Sequence, residues 1–352
     1  MSDEVYEQLA ASLNMLPNGF PRTPSNVEIK LLKKILSEEE ASLATKTRGK
    51  MEPIEVIAKR ANLSLKDAKI RLTNMVKRGL ILSDEKDGKQ QFRLAPFIVG
   101  IFEAQLESMD HELAHLIEDY LADGGAVGIM KPQPALHRVI PSQKAVKSEW
   151  ILPYDDVKAI LNSNKTFRVQ ECVCRVQQDH INSRRCNFPL KTCLTFSQDE
   201  QPPRSDDISR EEALAILDKA EEIGLVHTVS NIMKGLSYVC NCCGCCCEIL
   251  RGINDFGIEK SVAYANYYSV INSDNCVGCE ICVSRCQVHA ISMIEKVAVV
   301  DRKRCIGCGL CVTGCPNGAV KLQLKPDAEI VQPPEDLTSW EHQRLRNRGL
   351  SQ

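Results

Sequence analysis

Two segments of the chain carry the same arrangement of cysteines. The first reads Cys276-Val-Gly-Cys279-Glu-Ile-Cys282-Val-Ser-Arg-Cys286. The second reads Cys305-Ile-Gly-Cys308-Gly-Leu-Cys311-Val-Thr-Gly-Cys315-Pro316. Every cysteine of the first segment lies 29 positions before its counterpart in the second. The segments therefore form an internal repeat, which decides the fold of this part of the chain.

The spacing of the repeat suits cubane iron–sulfur clusters. Two-residue gaps let three thiolates wrap one face of a cluster while backbone N–H groups turn toward its sulfides. The next turn carries the fourth cysteine away, so that it reaches a second cluster. Zinc and disulfides are the alternatives, and eight cysteines in this double register favour neither.

Over residues 268–325 the repeat is similar to bacterial two-cluster ferredoxins. The resemblance implies a dicluster domain with two [4Fe–4S] clusters. It implies that one cluster is held by Cys276, Cys279, Cys282 and Cys315. It implies that the other is held by Cys305, Cys308, Cys311 and Cys286. Gln287 departs from the family pattern, which often has proline there, and this affects a turn and not a ligand.

Ten further cysteines lie outside the repeat and fall into two groups along the chain. The first group is Cys172, Cys174, Cys186 and Cys193. We expect these four thiols to bind one more cluster, whose negative charge nearby arginines such as Arg175 would offset. Zinc in an all-thiolate site is the main alternative. The irregular gaps between these cysteines do not match paired zinc knuckles, which favours iron–sulfur.

The second group places six thiols within eight residues, which is too dense for ordinary packing. It consists of Cys240, Cys242, Cys243, Cys245, Cys246 and Cys247. Adjacent cysteines point to different sides of an extended chain, so one tetrahedral site cannot use all six. We expect a cluster shared with the first group, an unusual cluster, or a reactive dithiol beside a cluster. A helix opened by Ser209 and closed by Gly224 is predicted to bring the two groups together.

The order of these motifs over residues 130–325 resembles a group of multi-cluster iron–sulfur proteins from strict anaerobes. That resemblance implies electron transfer and no specific substrate.

Composition narrows the class of protein further. The chain has 352 residues and 18 cysteines, all between Cys172 and Cys315. It begins without a signal-peptide pattern, and no apolar run reaches the roughly 20 residues of a membrane span. We therefore expect a cytoplasmic protein with no membrane span, whose thiols hold metal. The net charge of −2 excludes a general affinity for polyanions.

Residues 25–95 resemble a winged helix-turn-helix domain. The pattern predicts helices from Ser25 and Pro53, a third helix from Ser64 to Gly79, and two strands joined by a turn at residues 84–88. Residues 50–78 have a local charge of +5, from eight Lys/Arg and three acids. We expect this basic segment to dock a redox partner protein or an oxidoreductase complex, with DNA as the less favoured partner.

A second motif in the N-terminal half matches H-E-x-x-H. It runs from His111 to His115, and in zinc proteases this spacing binds zinc. No third ligand is evident at a recognised spacing, and both histidines lie opposite the apolar stripe of the predicted helix. We therefore interpret them as solvated residues.

Together these features predict an α+β multidomain protein. The predicted segments are an N-terminal arm (1–24), a winged-helix domain (25–95), a helical extension and connector (96–150), a central α-rich, Cys-rich metal-binding domain (151–267), a ferredoxin-like dicluster domain (268–325) and a C-terminal tail (326–352).

The expected function is electron transfer, as a carrier or as the electron-input subunit of an anaerobic oxidoreductase complex. The chain would use two [4Fe–4S] clusters and at least one further iron–sulfur cluster. We find no Rossmann, flavin or Walker motif, so a subunit is favoured over a complete enzyme. The alternative is a redox-sensing transcriptional regulator that reads DNA through the winged helix.

Overall fold

The computed structural model describes residues 2–86 and 88–350. The predicted arm, turn and tail include Met1, Asp87, Ser351 and Gln352, which lie outside the described residues. The chain divides into two compact units. Unit 1 comprises Met1–Pro132, Val176–Ser183 and His342–Gln352, and unit 2 comprises Gln133–Arg175 and Arg184–Glu341.

Unit 1 is mainly helical with a small sheet. Its elements are α1 (Ser2–Asn14), α2 (Val27–Ile35), α3 (Glu38–Thr45), β1 (Glu52–Pro53), α4 (Ile54–Ala61), α5 (Leu65–Lys77), β2 (Ile81–Lys86), β3 (Lys89–Leu94), α6 (His111–Tyr120) and α7 (Ala126–Met130). The described strands of this unit form an antiparallel sheet in the order β1-β3-β2.

Residues 2–45 contain three helices, α1, α2 and α3. The predicted arm contains helix α1, whose Leu9 and Leu13 are fully buried. Residues 38–50, which look loop-like because of their polar composition, contain α3 with a capping box between Ser37 and Glu40. Helix α2 begins after Asn26 in the left-handed conformation without a side-chain cap, so no capping box forms at Ser25.

The predicted third helix forms as expected. The Ser64 hydroxyl accepts the Asp67 N–H at the start of α5, and Gly79 follows the helix end with φ of 66°. The C-terminal segment of unit 1 is fixed by Arg344, which is fully buried and donates to the carbonyls of Pro17 and Pro132. The Arg344 guanidinium thus provides charged hydrogen-bond donors to two backbone carbonyls of the unit.

Unit 2 is built around a mixed sheet. Its elements are β4 (His137–Ile140), α8 (Val157–Asn162), β5 (Thr166–Glu171), α9 (Val173–His180, continuing into unit 1), β6 (Lys191–Ser197), β7 (Asp207–Ile208), α10 (Arg210–Ile223), β8 (Val226–Ser230), β9 (Tyr238–Cys242), α11 (Glu248–Asn254), β10 (Val262–Ala263), β11 (Tyr267–Ile271), α12 (Ile281–Ser284), β12 (Ile291–Ile294), β13 (Val297–Val300), α13 (Leu310–Thr313), β14 (Val320–Leu324) and α14 (Leu337–Asn347, ending in unit 1).

The central domain is not α-rich, which corrects the expectation. Six of its strands, together with β4 from the predicted connector, form a seven-stranded sheet in the order β10-β4-β8-β9-β6-β5-β7. The strands are short and several are half-buried, so their alternating pattern is weak in the sequence. Helix α10 packs on this sheet through Ala213 and Leu217. It starts with the predicted capping box of Ser209 and Glu212 and ends at Gly224, as expected.

The C-terminal repeat forms two short helices and two strand pairs. Strands β12 and β13 form an antiparallel hairpin. Strand β14 pairs with β11, also antiparallel. No helix within residues 2–86 and 88–350 is long and apolar enough to cross a membrane.

Candidate metal centres

The cysteine repeat surrounds two cavities. The first cavity, of about 360 Å³ including its opening, is lined by Cys276, Cys279, Cys282 and Cys315. The second cavity, of about 310 Å³, is lined by Cys286, Cys305, Cys308 and Cys311. Each cavity thus takes three cysteines from one half of the repeat and one from the other, which is the crossed arrangement that the ferredoxin resemblance implies.

Backbone and hydroxyl groups are oriented toward the sulfur atoms of both cavities. The Ala298 N–H donates to Cys276 Sγ at 3.5 Å, and the Ala290 N–H donates to Cys286 Sγ at 3.1 Å. Ser269 Oγ lies 3.0 Å from Cys311 Sγ. Hydrogen bonds of this kind stabilise thiolates and tune the potential of a cluster that they hold.

The structure divides the ten other cysteines into two sets that differ from their two groups along the chain. Cys186 leaves the first group and joins Cys243, Cys245 and Cys246, and these residues form what we call the four-thiol site. The other thiols form a second set, the six-thiol ring, which consists of Cys172, Cys174, Cys193, Cys240, Cys242 and Cys247.

The four-thiol site is compact. Its four sulfur atoms all lie within 4.8 Å of one another, and Cys186 Sγ is 3.8 Å from Cys243 Sγ and from Cys246 Sγ. Cys243, Cys245 and Cys246 lie in the turn between β9 and α11, and the end of α10 packs against them through Ala220. Hydrogen bonds with Cys243 and Cys246 lower the pKa of Cys245 to about 4, so the site contains a thiolate at neutral pH.

The six-thiol ring is assembled by the sheet. Cys193 on β6 and Cys240 on the adjacent strand β9 are in contact, and Cys242 lies on the same face because side chains two residues apart on a strand point the same way. Cys172 and Cys174 at the start of α9 and Cys247 at the start of α11 complete it.

Each thiol of the ring interacts with two others in a closed order. Cys172 interacts with Cys174 and Cys193, Cys174 interacts with Cys247, and Cys242 interacts with Cys240 and Cys247. These interactions lower the pKa of Cys172 and of Cys242, so the ring also offers thiolates to a metal centre.

Arg175 lies next to both thiol sets. It is fully buried and donates to the Asn241 carbonyl, the Thr192 hydroxyl and the Pro189 carbonyl. Burial lowers the pKa of Arg175, but the nearby Cys172 and Cys243 thiolates outweigh this effect and raise it. A permanently charged guanidinium thus offsets the negative charge of thiolate centres on either side.

Gln287 connects the second cavity to the turn of the four-thiol site. It follows Cys286 in the chain, its Oε1 accepts the Gly244 N–H at 2.8 Å, and its Nε2 donates to the Gly224 carbonyl at 2.9 Å. Asn254 Nδ2 donates to the carbonyls of both Gly244 and Gln287, at 2.9 Å each. The sequence pattern indicated only a changed turn at Gln287, because one position in a motif carries no information about distant partners.

The H-E-x-x-H motif forms no metal site in the described part of the chain. His111 and His115 are exposed, and His111 Nδ1 donates to the His180 carbonyl at 2.7 Å. Glu112 pairs with Lys34. The exposure of both histidines agrees with their interpretation as solvated residues.

Comparison with known proteins identifies one segment. Residues 269–322 match the family model of the 4Fe–4S dicluster domain. No curated protein and no solved structure matches the chain. The match covers the C-terminal cysteine repeat and agrees with the expected ferredoxin-like resemblance. Together with the clustered cysteines, it supports multiple iron–sulfur clusters and electron transfer as the general role of the chain.

Proposed function

We propose that the protein is an electron carrier, or the electron-input subunit of an anaerobic oxidoreductase complex, that moves single electrons between a surface-exposed ferredoxin cluster and a buried centre in the six-thiol ring. When bound, the clusters supply low-potential one-electron chemistry. The observation that carries the proposal is the hydrogen bond of Gln287. It connects the residue after Cys286 of the second cavity to Gly244, in the turn of the four-thiol site.

The first cavity is suited to exchange electrons with a partner. Cys279 is exposed, and Val277 beside it is 68% exposed. An exposed apolar side chain next to a redox centre favours a transient protein contact there. In this proposal Cys276, Cys279, Cys282 and Cys315 hold the cluster that meets the redox partner.

The second cavity is suited to pass electrons inward. In this proposal its cluster is held by Cys286, Cys305, Cys308 and Cys311. From Cys286 the covalent chain and one hydrogen bond reach Gly244, and the neighbours of Gly244 are Cys243 and Cys245. Cys243 is in turn adjacent to Cys242 of the six-thiol ring.

The six-thiol ring is suited to hold a polynuclear iron–sulfur centre. Its thiols are buried or half-buried, and no three of their sulfur atoms lie within 4.8 Å of one another. Such spacing is too wide for one ion and leaves room for a cluster whose irons each bind a different thiolate. Arg175 would offset part of its charge.

The exposed surface of helix α5 in unit 1 favours contact with a partner protein over contact with DNA. Its exposed face combines Lys66 and Lys69 with Leu65 and Ile70, which are 54% and 52% exposed. Apolar groups among charges suit a protein contact, whereas DNA backbone contact needs free basic groups. Arg71 pairs with Glu39 of α3, which lowers the free positive charge of this face.

The proposal is tested by reducing the full-length anaerobic protein stepwise and following each centre by EPR. We expect at least three reducible centres, and we expect Cys240→Ser to remove the third while the two ferredoxin signals remain. The matched control Cys308→Ser should remove a ferredoxin signal and leave the third. If Cys240→Ser changes no signal and no iron content, the six-thiol centre is ruled out.

A further inference from the structure

We propose that Cys186, Cys243, Cys245 and Cys246 bind a single tetrahedral metal ion, Zn²⁺ or one iron, and no iron–sulfur cluster. This assigns the four-thiol site a cofactor different in kind from those of the ferredoxin cavities and the six-thiol ring. It does not depend on the electron-transfer proposal.

The distances between sulfur atoms carry the argument. A tetrahedral ion with metal–sulfur bonds of ~2.3 Å requires sulfur–sulfur separations of about 3.8 Å, which is the edge of that tetrahedron. Cys186 Sγ lies 3.8 Å from Cys243 Sγ and 3.8 Å from Cys246 Sγ, and Cys245 Sγ lies 3.5 Å from Cys246 Sγ. Three of the six separations therefore lie close to the value that one ion requires, and the other three lie within 4.8 Å.

The ferredoxin cavities provide an internal comparison. In a cubane each thiolate binds a different iron, so the sulfur atoms stand farther apart than around one ion. Neither ferredoxin quartet meets the 4.8 Å limit that the four-thiol site meets, and each surrounds a cavity of 310–360 Å³. Within residues 2–86 and 88–350, the four-thiol site alone groups three or more such ligands this closely.

The surroundings of the site suit a negatively charged tetrathiolate. Arg175 interacts electrostatically with Cys243, and Arg184 interacts with Cys186. Nε of Arg175 is buried and has no hydrogen-bond partner. A divalent ion with four thiolates keeps a net negative charge, which these guanidinium groups would balance.

Gly244 allows the turn to close around the ion. A Cβ at this position would lie 1.8 Å from the Gln287 carbonyl oxygen, so only glycine fits. The turn brings three of the thiols together, and Cys186 joins them from the loop before β6. Cys242 and Cys247 flank the turn, so an ion here would also fix two thiols of the six-thiol ring.

The test is metal and acid-labile sulfide analysis of the full-length anaerobic protein, with X-ray absorption at the zinc and iron edges. We expect about one zinc per chain, or iron in excess of sulfide by about one, because a single ion brings no sulfide. If the ion is zinc, absorption should show four sulfur neighbours at ~2.3 Å and no metal neighbour.

Substitutions of single cysteines test whether the ion lies in the four-thiol site. Cys245→Ser should lose that ion and keep all sulfide, whereas the control Cys308→Ser should lose iron and sulfide together and keep the ion. If Cys245→Ser does not fold, Cys245→His should retain the ion with three sulfur neighbours and one nitrogen, since zinc accepts this ligand set. Loss of several irons with matching sulfide from either Cys245 variant, or no change in metal content in Cys245→Ser, would overturn the proposal.

Discussion

Replacing Gln287 with leucine tests the link between the dicluster domain and the central thiols. The change removes the acceptor for the Gly244 N–H and the donor to the Gly224 carbonyl, at 2.8 and 2.9 Å. Each part-buried group left without a partner costs about 1–2 kcal/mol, so we expect the free energy of unfolding of unit 2 to fall by about 2–4 kcal/mol.

The assay is anaerobic calorimetry of the full-length protein. Unit 2 contains about 200 residues, and for domains of this size each kcal/mol shifts the midpoint by roughly 2–4 °C. We therefore expect Gln287→Leu to lower the unfolding midpoint of unit 2 by roughly 4–16 °C. Gln287→Glu keeps an acceptor for Gly244 but places a carboxylate oxygen against the Gly224 carbonyl oxygen, so its midpoint should also fall below that of the wild-type protein. A Gln287→Leu midpoint within 2 °C of the wild-type protein would refute the reasoning.

Three further predictions follow from the described contacts. Cys308→Ser should remove about four irons and broaden the EPR signal of the other ferredoxin cluster, because each cavity takes one cysteine from the other half of the repeat; an unchanged iron content would contradict this. Burial lowers the pKa of His137 to about 4, so the stability that it contributes is complete above about pH 6.5 and falls with acidification toward pH 4. Denaturant titrations should show a slope of up to about 1.4 kcal/mol per pH unit that His137→Gln lacks, and equal slopes would contradict it. Lys66→Glu with Lys69→Glu should slow electron transfer to the natural partner while cluster content stays constant, and an unchanged rate would point to another docking surface.

The dicluster domain could be predicted because its ligands are local. Three of the four thiols in each cavity lie within seven residues of one another, and the resemblance to two-cluster ferredoxins implies the exchange of the fourth. The caps of α5 and α10 were equally local, since Ser64 and Ser209 each bond a backbone N–H three residues on. Contacts between residues so close in the chain can be recognised from a short stretch of sequence.

The partition of the other ten cysteines could not be predicted, because it depends on strand pairing. Cys186 and Cys193 are near in sequence but lie in different thiol sets, since Cys193 is on β6 beside β9 and Cys186 is in the preceding loop. One expectation from the sequence did concern this partition, namely that adjacent cysteines point to different sides of the chain. Cys242 and Cys243 agree with it, because Cys242 belongs to the six-thiol ring and Cys243 to the four-thiol site. Likewise, the charge of +5 counted over residues 50–78 is larger than the positive charge that this surface presents, because Arg78 pairs with Glu40 of α3.

The central claim is that one chain carries electrons from a ferredoxin pair to a centre in the six-thiol ring. The most direct measurement is the number of electrons that the anaerobic full-length protein accepts in a coulometric titration. The account predicts at least three electrons per chain, one for each ferredoxin cluster and one or more for the six-thiol centre, with at least about eight irons and eight sulfides. Uptake of two electrons or fewer by protein that carries both ferredoxin clusters would contradict it.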